Sequence, residues 1–312
     1  MSPLVSVLIP CFNAERHIGE TLNSVLGQTW PNIEVIVVDD GSTDQSLSEV
    51  RRFGQRVRLI SQQNKGVCSA RNAALEAADG EFIQFIDADD LIDADKIALQ
   101  MNRLVDHPRS VASSEWGRFY REPEETLFGP EANWEDCLPI EWLVRSRAEG
   151  RGMMFPAIWL APRPVLEAAG PWNEALSRSG TDDGEYFTRV VLASDQVLFC
   201  KGAHCRYRSG IAGSLSKSRN WSLRFKVIEL SEAHVRAVED SERVRRVFAL
   251  SWQHLAHASL PYDSITSRRA LDRAKRLHSL TIRPRGGPGF RMLSRVIGWR
   301  AARRLQVASG RP

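Results

Sequence analysis

Near-continuous apolar runs at residues 5–9, 33–38, 57–60 and 81–86 alternate with helical periodicity at 14–26, 43–53, 66–78 and 95–105. This alternation constrains the fold more than any other feature of the chain. Strands that are apolar on both faces belong to a parallel sheet covered on both sides by helices. Such a sheet binds ligands beyond the carboxyl ends of its strands. Polar residues stand at each of those ends: Asn13, then Asp39-Asp40-Gly41-Ser42-Thr43-Asp44, then Asn64-Lys65-Gly66, then Asp87-Ala88-Asp89-Asp90. Any one of them reads equally as an ordinary strand-to-helix turn, where Asp, Asn, Gly and Ser are favoured. Together on one rim they point to a shared site. Ser42 and Gln45 have the spacing of a capping box for the second helix.

The fourth cluster has the most chemistry in it. Carboxylates crowded at a strand end raise one another's pKa unless a cation shares them. Aspartates at alternate positions suit an oxygen-preferring Mg²⁺ or Mn²⁺, which keeps waters and takes substrate phosphates as further ligands. The other reading is a turn leading into a helix capped by Asp93, since Asp is favoured at that position. A second acidic cluster, Thr181-Asp182-Asp183-Gly184-Glu185, precedes an apolar helical pattern over 186–192. Acids there would be held at the positive end of the helix dipole, which favours their charged form.

The 312 residues are long enough for about two domains, or one with an appendage, and the 43% hydrophobic fraction supports a sizeable core. A net charge of +4 is a mild basic balance that does not imply nucleic acid. Cys11, Cys68, Cys137, Cys200 and Cys205 are odd in number and form no CxxC pair, so free thiols in a reducing, cytoplasmic setting are expected. Cys200, His204 and Cys205 lack a fourth ligand at metal-site spacing. No basic segment precedes the first short apolar run, so no signal peptide is expected, and no apolar stretch approaches the ~18 residues of a membrane span.

The middle of the chain, 111–203, is less regular, with Trp116, Tyr120, Trp134, Trp142, Trp159 and Trp172 scattered through it as expected core or lining residues. Residues 197–199 read as a short strand, with Arg206-Tyr207-Arg208 after it. Helices are expected at 221–239, 242–259 and 266–280, then a linker over 283–289 and an arginine-rich, acid-free tail over 290–307. In that tail Phe290, Leu293, Val296, Ile297 and Trp299 share one side of a helix, with Arg291 and Arg295 opposite, as in an interfacial helix. Arg300, Arg303 and Arg304 fall back on the apolar side, so docking on the catalytic domain is the alternative.

Residues 5–13 (Val5-Ser6-Val7-Leu8-Ile9-Pro10-Cys11-Phe12-Asn13), Val38-Asp39-Asp40-Gly41-Ser42-Thr43-Asp44, Asn64-Lys65-Gly66 with Ala70-Arg71-Asn72, and Asp87-Ala88-Asp89-Asp90 stand in an order and at spacings that resemble family 2 glycosyltransferases with the GT-A fold. The likeness is close over residues 3–107. It continues more weakly through Gly170-Pro171-Trp172-Asn173-Glu174 and Asp182-Asp183 to Arg208. The resemblance implies an α/β, doubly wound, mostly parallel sheet, here with a helical C-terminal extension. It implies inverting transfer of a sugar from a nucleoside diphosphate donor, a UDP-sugar foremost, to a carbohydrate or lipid-linked acceptor in surface polysaccharide or glycoconjugate synthesis. It further implies a donor site of Pro10, Asn13, Asp40, Arg71, Asp87 and Arg208, with Asp40 on the base and Arg208 near the diphosphate. Asp89 would bind the Mg²⁺ or Mn²⁺ with Asp87 in support, and Asp183 would be the general base. Asp182 stands where the family has Glu. The QxxRW motif of processive members is absent, which implies addition of a single sugar.

The expected organisation is a catalytic domain over 1–218 (donor half 1–107, acceptor half 108–218), a helical extension over 219–282 and a basic tail over 283–312 that could touch the inner face of a membrane peripherally. A sugar nucleotidyltransferase is the nearest alternative enzyme, but Pro10-Cys11-Phe12-Asn13 lacks the glycines of its first loop; a Rossmann dehydrogenase fails on the same ground. A non-catalytic sugar-binding relative is the alternative from another class, and retention of both acidic clusters argues against it.

Overall fold

The computed structural model describes residues 2–148, 154–279 and 287–308. The first half alternates as the apolar runs dictate: β1 (Val5–Cys11), α1 (Ile18–Leu26), β2 (Ile33–Asp39), α2 (Ser46–Arg51), β3 (Arg58–Ser61), α3 (Val67–Glu76), β4 (Phe82–Phe85), β5 (Leu91–Ile92) and α4 (Lys96–Leu104). There follow β6 (Val111–Phe119), β7 (Leu127–Phe128), α5 (Pro139–Ala148), β8 (Ala161–Pro162), α6 (Arg163–Ala169), α7 (Asp182–Ala193) and β9 (Val197–Arg208). Helices α8 (Trp221–Val238), α9 (Glu242–Ser259), α10 (Ser264–Leu277), α11 (Pro288–Ile297) and α12 (Trp299–Ala308) complete the described chain.

The main sheet has the order β3-β2-β1-β4-β8, parallel except for β8. Every residue of β1 is buried, as expected of a strand covered on both faces. Pro10 is tolerated there because β4 pairs only with Val5 to Leu8, so its missing N–H breaks no ladder on that side. A second sheet, β5-β9-β6-β7, stands beside the first. Cys205, buried in β9, accepts or donates at Ser114 Oγ (3.2 Å) and lies 3.0 Å from the Ala157 carbonyl.

Several local expectations are corrected. The second helix starts at Ser46, and Gln45 caps it without a side-chain hydrogen bond. Ser42 instead accepts from the Asn13 amide (3.0 Å), so it ties β1's loop to β2's rather than capping a helix. Asp93 is not a helix cap either: it takes two hydrogen bonds from Arg206 (2.7 and 2.9 Å) and one contact from His204 (3.1 Å). The short strand at 197–199 is the start of a 12-residue strand, β9, that continues through Arg208 past an irregularity opposite Ser114 and Glu115. The expected linker at 283–289 falls partly outside the described residues; Pro288 and Gly289 already belong to α11. The tail is two helices, broken at Gly298, whose φ of 77° a side chain would disfavour.

Trp142, Trp159 and Trp172 are fully buried, whereas Tyr120 is exposed. All five cysteines are free and buried. No helix among the described residues is long and apolar enough to cross a membrane.

Candidate active site

The rim at the carboxyl ends of β1, β2 and β4 is assembled by side chains that cross between loops. Asn13 adopts a positive φ of 49°, a conformation Asn tolerates better than most residues. Its Oδ1 accepts from the Thr43 amide (2.8 Å). Asp40 is buried, and its carboxylate accepts from Gln62 Nε2 (2.7 Å), the Lys65 amide (2.9 Å) and the Gly66 amide (2.8 Å). It therefore fixes the 64–66 loop. At Gly66, φ is 96° and an added Cβ would come within 2.6 Å of Ser177, so both backbone and space require glycine. Asp39 accepts from the Ser42 amide (3.3 Å) through one oxygen; its other oxygen, Oδ1, is buried without a partner among the described residues.

The two acidic clusters meet at Arg71. Its guanidinium, on the buried face of α3, donates from Nη2 to Asp87 (2.7 Å) and from Nη1 to Asp182 (2.6 Å). The group lies 4.2 Å from the centre of the Trp172 ring, and that ring stacks on Tyr186 at 3.8 Å. Burial opposes the Arg71 charge, but Asp87 and Asp182 outweigh it and raise its pKa. Trp172 is in turn held by Asn72, which donates to its carbonyl (3.0 Å) and accepts from its amide (2.8 Å).

Asp87 and Asp89 are partly exposed, whereas Asp90 points inward. Asp90 accepts from the Arg208 amide (2.9 Å), and Arg208 Nε donates to the Asp89 carbonyl (2.9 Å). Arg208 also pairs with Glu20 and lies over Phe119. No other side chain among the described residues hydrogen-bonds the Asp89 carboxylate. Burial, reinforced by Asp87, pushes it up to about 7, against a backbone hydrogen bond and the charge of Arg208, which act in its favour. Burial likewise raises Asp90, with Asp89 and Asp87 adding to it.

A divalent ion fits this loop. Mg²⁺ is bound through one or two carboxylates plus substrate phosphates, not by an all-protein cage. Asp89, partly exposed and bound by no other side chain, beside the partly exposed Asp87 is that donor set. No cluster of three or more His, Cys, Asp or Glu able to hold a metal by themselves occurs among the described residues.

Asp182 and Asp183 occupy the first turn of α7. Asp183 Oδ1 accepts from the Gly184 amide (2.8 Å). Burial, with the neighbouring Asp182, pushes Asp183 up to about 7, against the direction expected of a helix N-terminus. Burial also raises Asp182, against the pull of Arg71.

The structure thus gathers Asp87, Asp89, Arg71, Asp182, Asp183 and Arg208 around one face, with Asn13 and Asp40 in the adjoining loops and Pro10 buried in β1. Sequence reasoning missed the roles of Asn72, Trp172 and Arg224. Arg224, from α8, donates to the carbonyls of Ser179 (3.2 Å) and Ser216 (2.7 Å), and the charge of Asp183 acts on it.

A family model described as Glycosyl transferase family 2 matches residues 6–159. The chain is 41% identical over 217 residues to glycosyltransferase GlyG of Streptococcus pneumoniae, an alignment spanning 67% of this chain and 71% of that protein. The chain belongs to glycosyltransferase family 2. Another match is more partial: that to the putative glycosyltransferase EpsH of Bacillus subtilis, 34% identical over 170 residues, spans 54% of this chain and about half (49%) of EpsH. In fold, this family 2 chain is similar to Staphylococcus aureus TarS 1-349 in complex with UDP-GlcNAc, with a TM-score of 0.71, 19% identity, and coverage of 98% of this chain and 92% of that one. It is also similar to the mannosyltransferase PcManGT of Pyrobaculum calidifontis in complex with GDP-Man and Mn²⁺, with a TM-score of 0.57, 21% identity, and coverage of 100% and 87%.

Proposed function

We propose that this chain catalyses inverting transfer of a single sugar from a nucleoside diphosphate donor, a UDP-sugar foremost, to an acceptor hydroxyl in surface polysaccharide or glycoconjugate synthesis. The observation that carries the reading is the Arg71 bridge, which sets a carboxylate of each acidic cluster within 2.7 Å of one guanidinium. A one-step displacement needs negative charge on the leaving group controlled on one side and a proton accepted on the other. Asp87 and Asp89 would hold a divalent ion, which neutralises charge on the departing diphosphate when bound. Asn13 and Asp40 shape the loops that receive the base. Arg71, whose two Nη groups are committed to carboxylates, is a positioning residue for the donor site, and Arg208 fixes the Asp89 backbone beneath it. Asp183 takes the proton as the acceptor oxygen bonds to the anomeric carbon and the bond to the diphosphate breaks. The donors bound by TarS and PcManGT support this reading, as does the Mn²⁺ of PcManGT.

The tail supports a lipid-linked acceptor. Phe290 and Trp299 pack against His257, at the end of α9 that lies beside the start of α8, while Met292 and Val296 are exposed. Arg224, in that first part of α8, contacts the loop leading to Asp183. A basic, partly apolar surface therefore lies at the same end of the helical extension as the proposed base.

The test is paired. Asp183→Asn is expected to keep donor affinity near wild type and to lower turnover by ~10²-fold or more. Asp89→Ala, or EDTA on the wild type, is expected to abolish donor binding. Normal turnover in Asp183→Asn with a dead Asp182→Asn would move the base by one residue, and unchanged donor affinity in EDTA would remove the metal.

A further inference from the structure

Far from the acidic rim, the opposite end of the helical extension carries a cavity of about 390 Å³ lined by Arg236, Arg245, Arg273, Arg276 and Leu277. It lies about 18 Å along α8 from Arg224, at ~1.5 Å per residue.

The polar groups around it are unbalanced in one direction. Glu232 is completely buried and accepts from Trp252 Nε1 (2.7 Å), Arg236 Nη1 (2.9 Å), and Arg273 through Nη2 (3.1 Å) and Nε (3.2 Å). Asp240 accepts two bonds from Arg236 (2.8 and 3.1 Å) and two from Arg245 (2.8 and 2.9 Å). Each carboxylate thus takes four hydrogen bonds, about its full capacity. The donors are not used up. Nη1 of Arg245 and Nη1 of Arg273 make no hydrogen bond among the described residues. The guanidinium of Arg276 makes none at all there, nor an ion pair with Asp272 one turn earlier.

Four guanidiniums against two saturated carboxylates leave an excess of two positive charges, with free N–H groups on three of the arginines. Arg236, Arg273 and Arg276 lie near helix C-termini, where cations are favoured. That accounts for charge at each helix end but not for the convergence of spare donors on one cavity. Guanidinium forks match the oxygens of phosphate in spacing and charge.

We propose that this cavity binds a phosphate-type dianion, a phosphate monoester or diphosphate group, independently of the donor site. Glu232 and Asp240 pre-orient the arginines, and Arg245, Arg273 and Arg276 supply the open donors. The same chemistry is offered by a soluble phosphate and by a phosphate-bearing lipid headgroup.

The test is calorimetric titration of the full chain with inorganic pyrophosphate in EDTA at ~0.15 M ionic strength. EDTA silences the metal-dependent donor site, and Asp89→Ala controls for what remains. Arg276→Gln removes an exposed guanidinium that makes no hydrogen bond or ion pair among the described residues, so the fold is expected to be preserved, and circular dichroism checks it. It is expected to weaken pyrophosphate at least about tenfold while Asp89→Ala leaves it unchanged. Absence of binding to the wild type, or equal binding to Arg276→Gln, overturns the proposal. Pelleting with phosphatidic acid vesicles against phosphatidylcholine vesicles then identifies the source. Loss of phosphatidic acid pelleting in Arg276→Gln, with pyrophosphate competing in the wild type, assigns a lipid headgroup; pelleting indifferent to both assigns a soluble phosphate. Metal-dependent donor binding is expected to be unaltered in Arg276→Gln, so failure here is separable from failure of the transferase reading.

Discussion

At the scale of single residues, the two groups closest to the proposed chemistry have their ionisation shifted by their surroundings. The Asp183 carboxyl ordinarily titrates at 3.8 and is pushed up to about 7 by burial and Asp182. A base poised near the working pH is effective, but it must be deprotonated. At saturating metal and donor, kcat is therefore expected to fall about tenfold per pH unit below ~7, read from initial rates across pH 5 to 8. The linkage has a definite sign. Between the unfolded and folded pKa values the folded state holds a proton that the unfolded state has lost, so stability declines as pH rises through that window. Asp183→Asn, which does not titrate, is expected to melt several degrees above wild type at pH 8, with the gap closing below about pH 4; thermal scans at the two pH values check it. Arg71 is the second such residue. An ammonium is a compact point charge and cannot reproduce a planar fork bonded to Asp87 and Asp182 at once. Arg71→Lys is expected to cost ~10-fold or more in kcat with the chain still folded, and circular dichroism beside the rate assay separates the two effects.

At the scale of elements, legibility in the sequence followed the range of the forces. Strands β1 to β4 and their polar ends were readable because a buried strand and its turn are written in consecutive residues. β9 was not, because Lys201, Gly202 and His204 interrupt its apolar pattern where the strand passes an irregularity. The capping box failed because Ser42 found a partner in Asn13, 29 residues earlier. The Arg71 clamp was invisible for a similar reason: Arg71 and Asp182 are far apart in sequence, and only packing of α3 against α7's first turn joins them. The tail belongs to this scale too. Its two helices leave Met292, Val296 and Leu305 exposed among arginines, with no acid between Phe290 and Ala308. Two short amphipathic helices with basic flanks bind anionic bilayers through apolar area plus charge. The full chain is expected to pellet with anionic liposomes and a chain ending at residue 283 to pellet less; equal pelleting would assign the tail to docking alone.

At the scale of the molecule, the helical extension is continuous with the catalytic core. Val235, Val244, Val247 and Phe248 of α8 and α9 lie in the same buried cluster as β1, β2 and α7, while Trp252, Leu255, Ala270 and Leu271 form a second, smaller one. His234 also reaches Glu185 in α7 (3.1 Å). Burying a Val or Phe side chain contributes about 1.5–3 kcal/mol relative to leaving it exposed, so four such residues exceed a large share of a domain's net stability. A chain ending at residue 218 is expected to be insoluble or molten, and the full chain to unfold in a single calorimetric transition. Two resolved transitions would show the extension to be a separate unit.

The Arg71 bridge also limits how such a protein can be recombined. Exchanging the first 107 residues with those of a relative looks like a simple way to change the sugar delivered, since the loops proposed to receive the donor lie there. Yet the guanidinium that orders Asp87 from within that segment finds its second carboxylate, and the indole beneath it, in the other segment. A graft that carries Arg71 and Asp87 into a recipient lacking an acid at 182 would leave the buried guanidinium with one of its two carboxylates; the reverse graft, in which no arginine comes at 71, would strand the Asp182 carboxylate. Drift in this lineage is then coupled across the junction, and hybrids between relatives should be viable only when both halves of the bridge travel together.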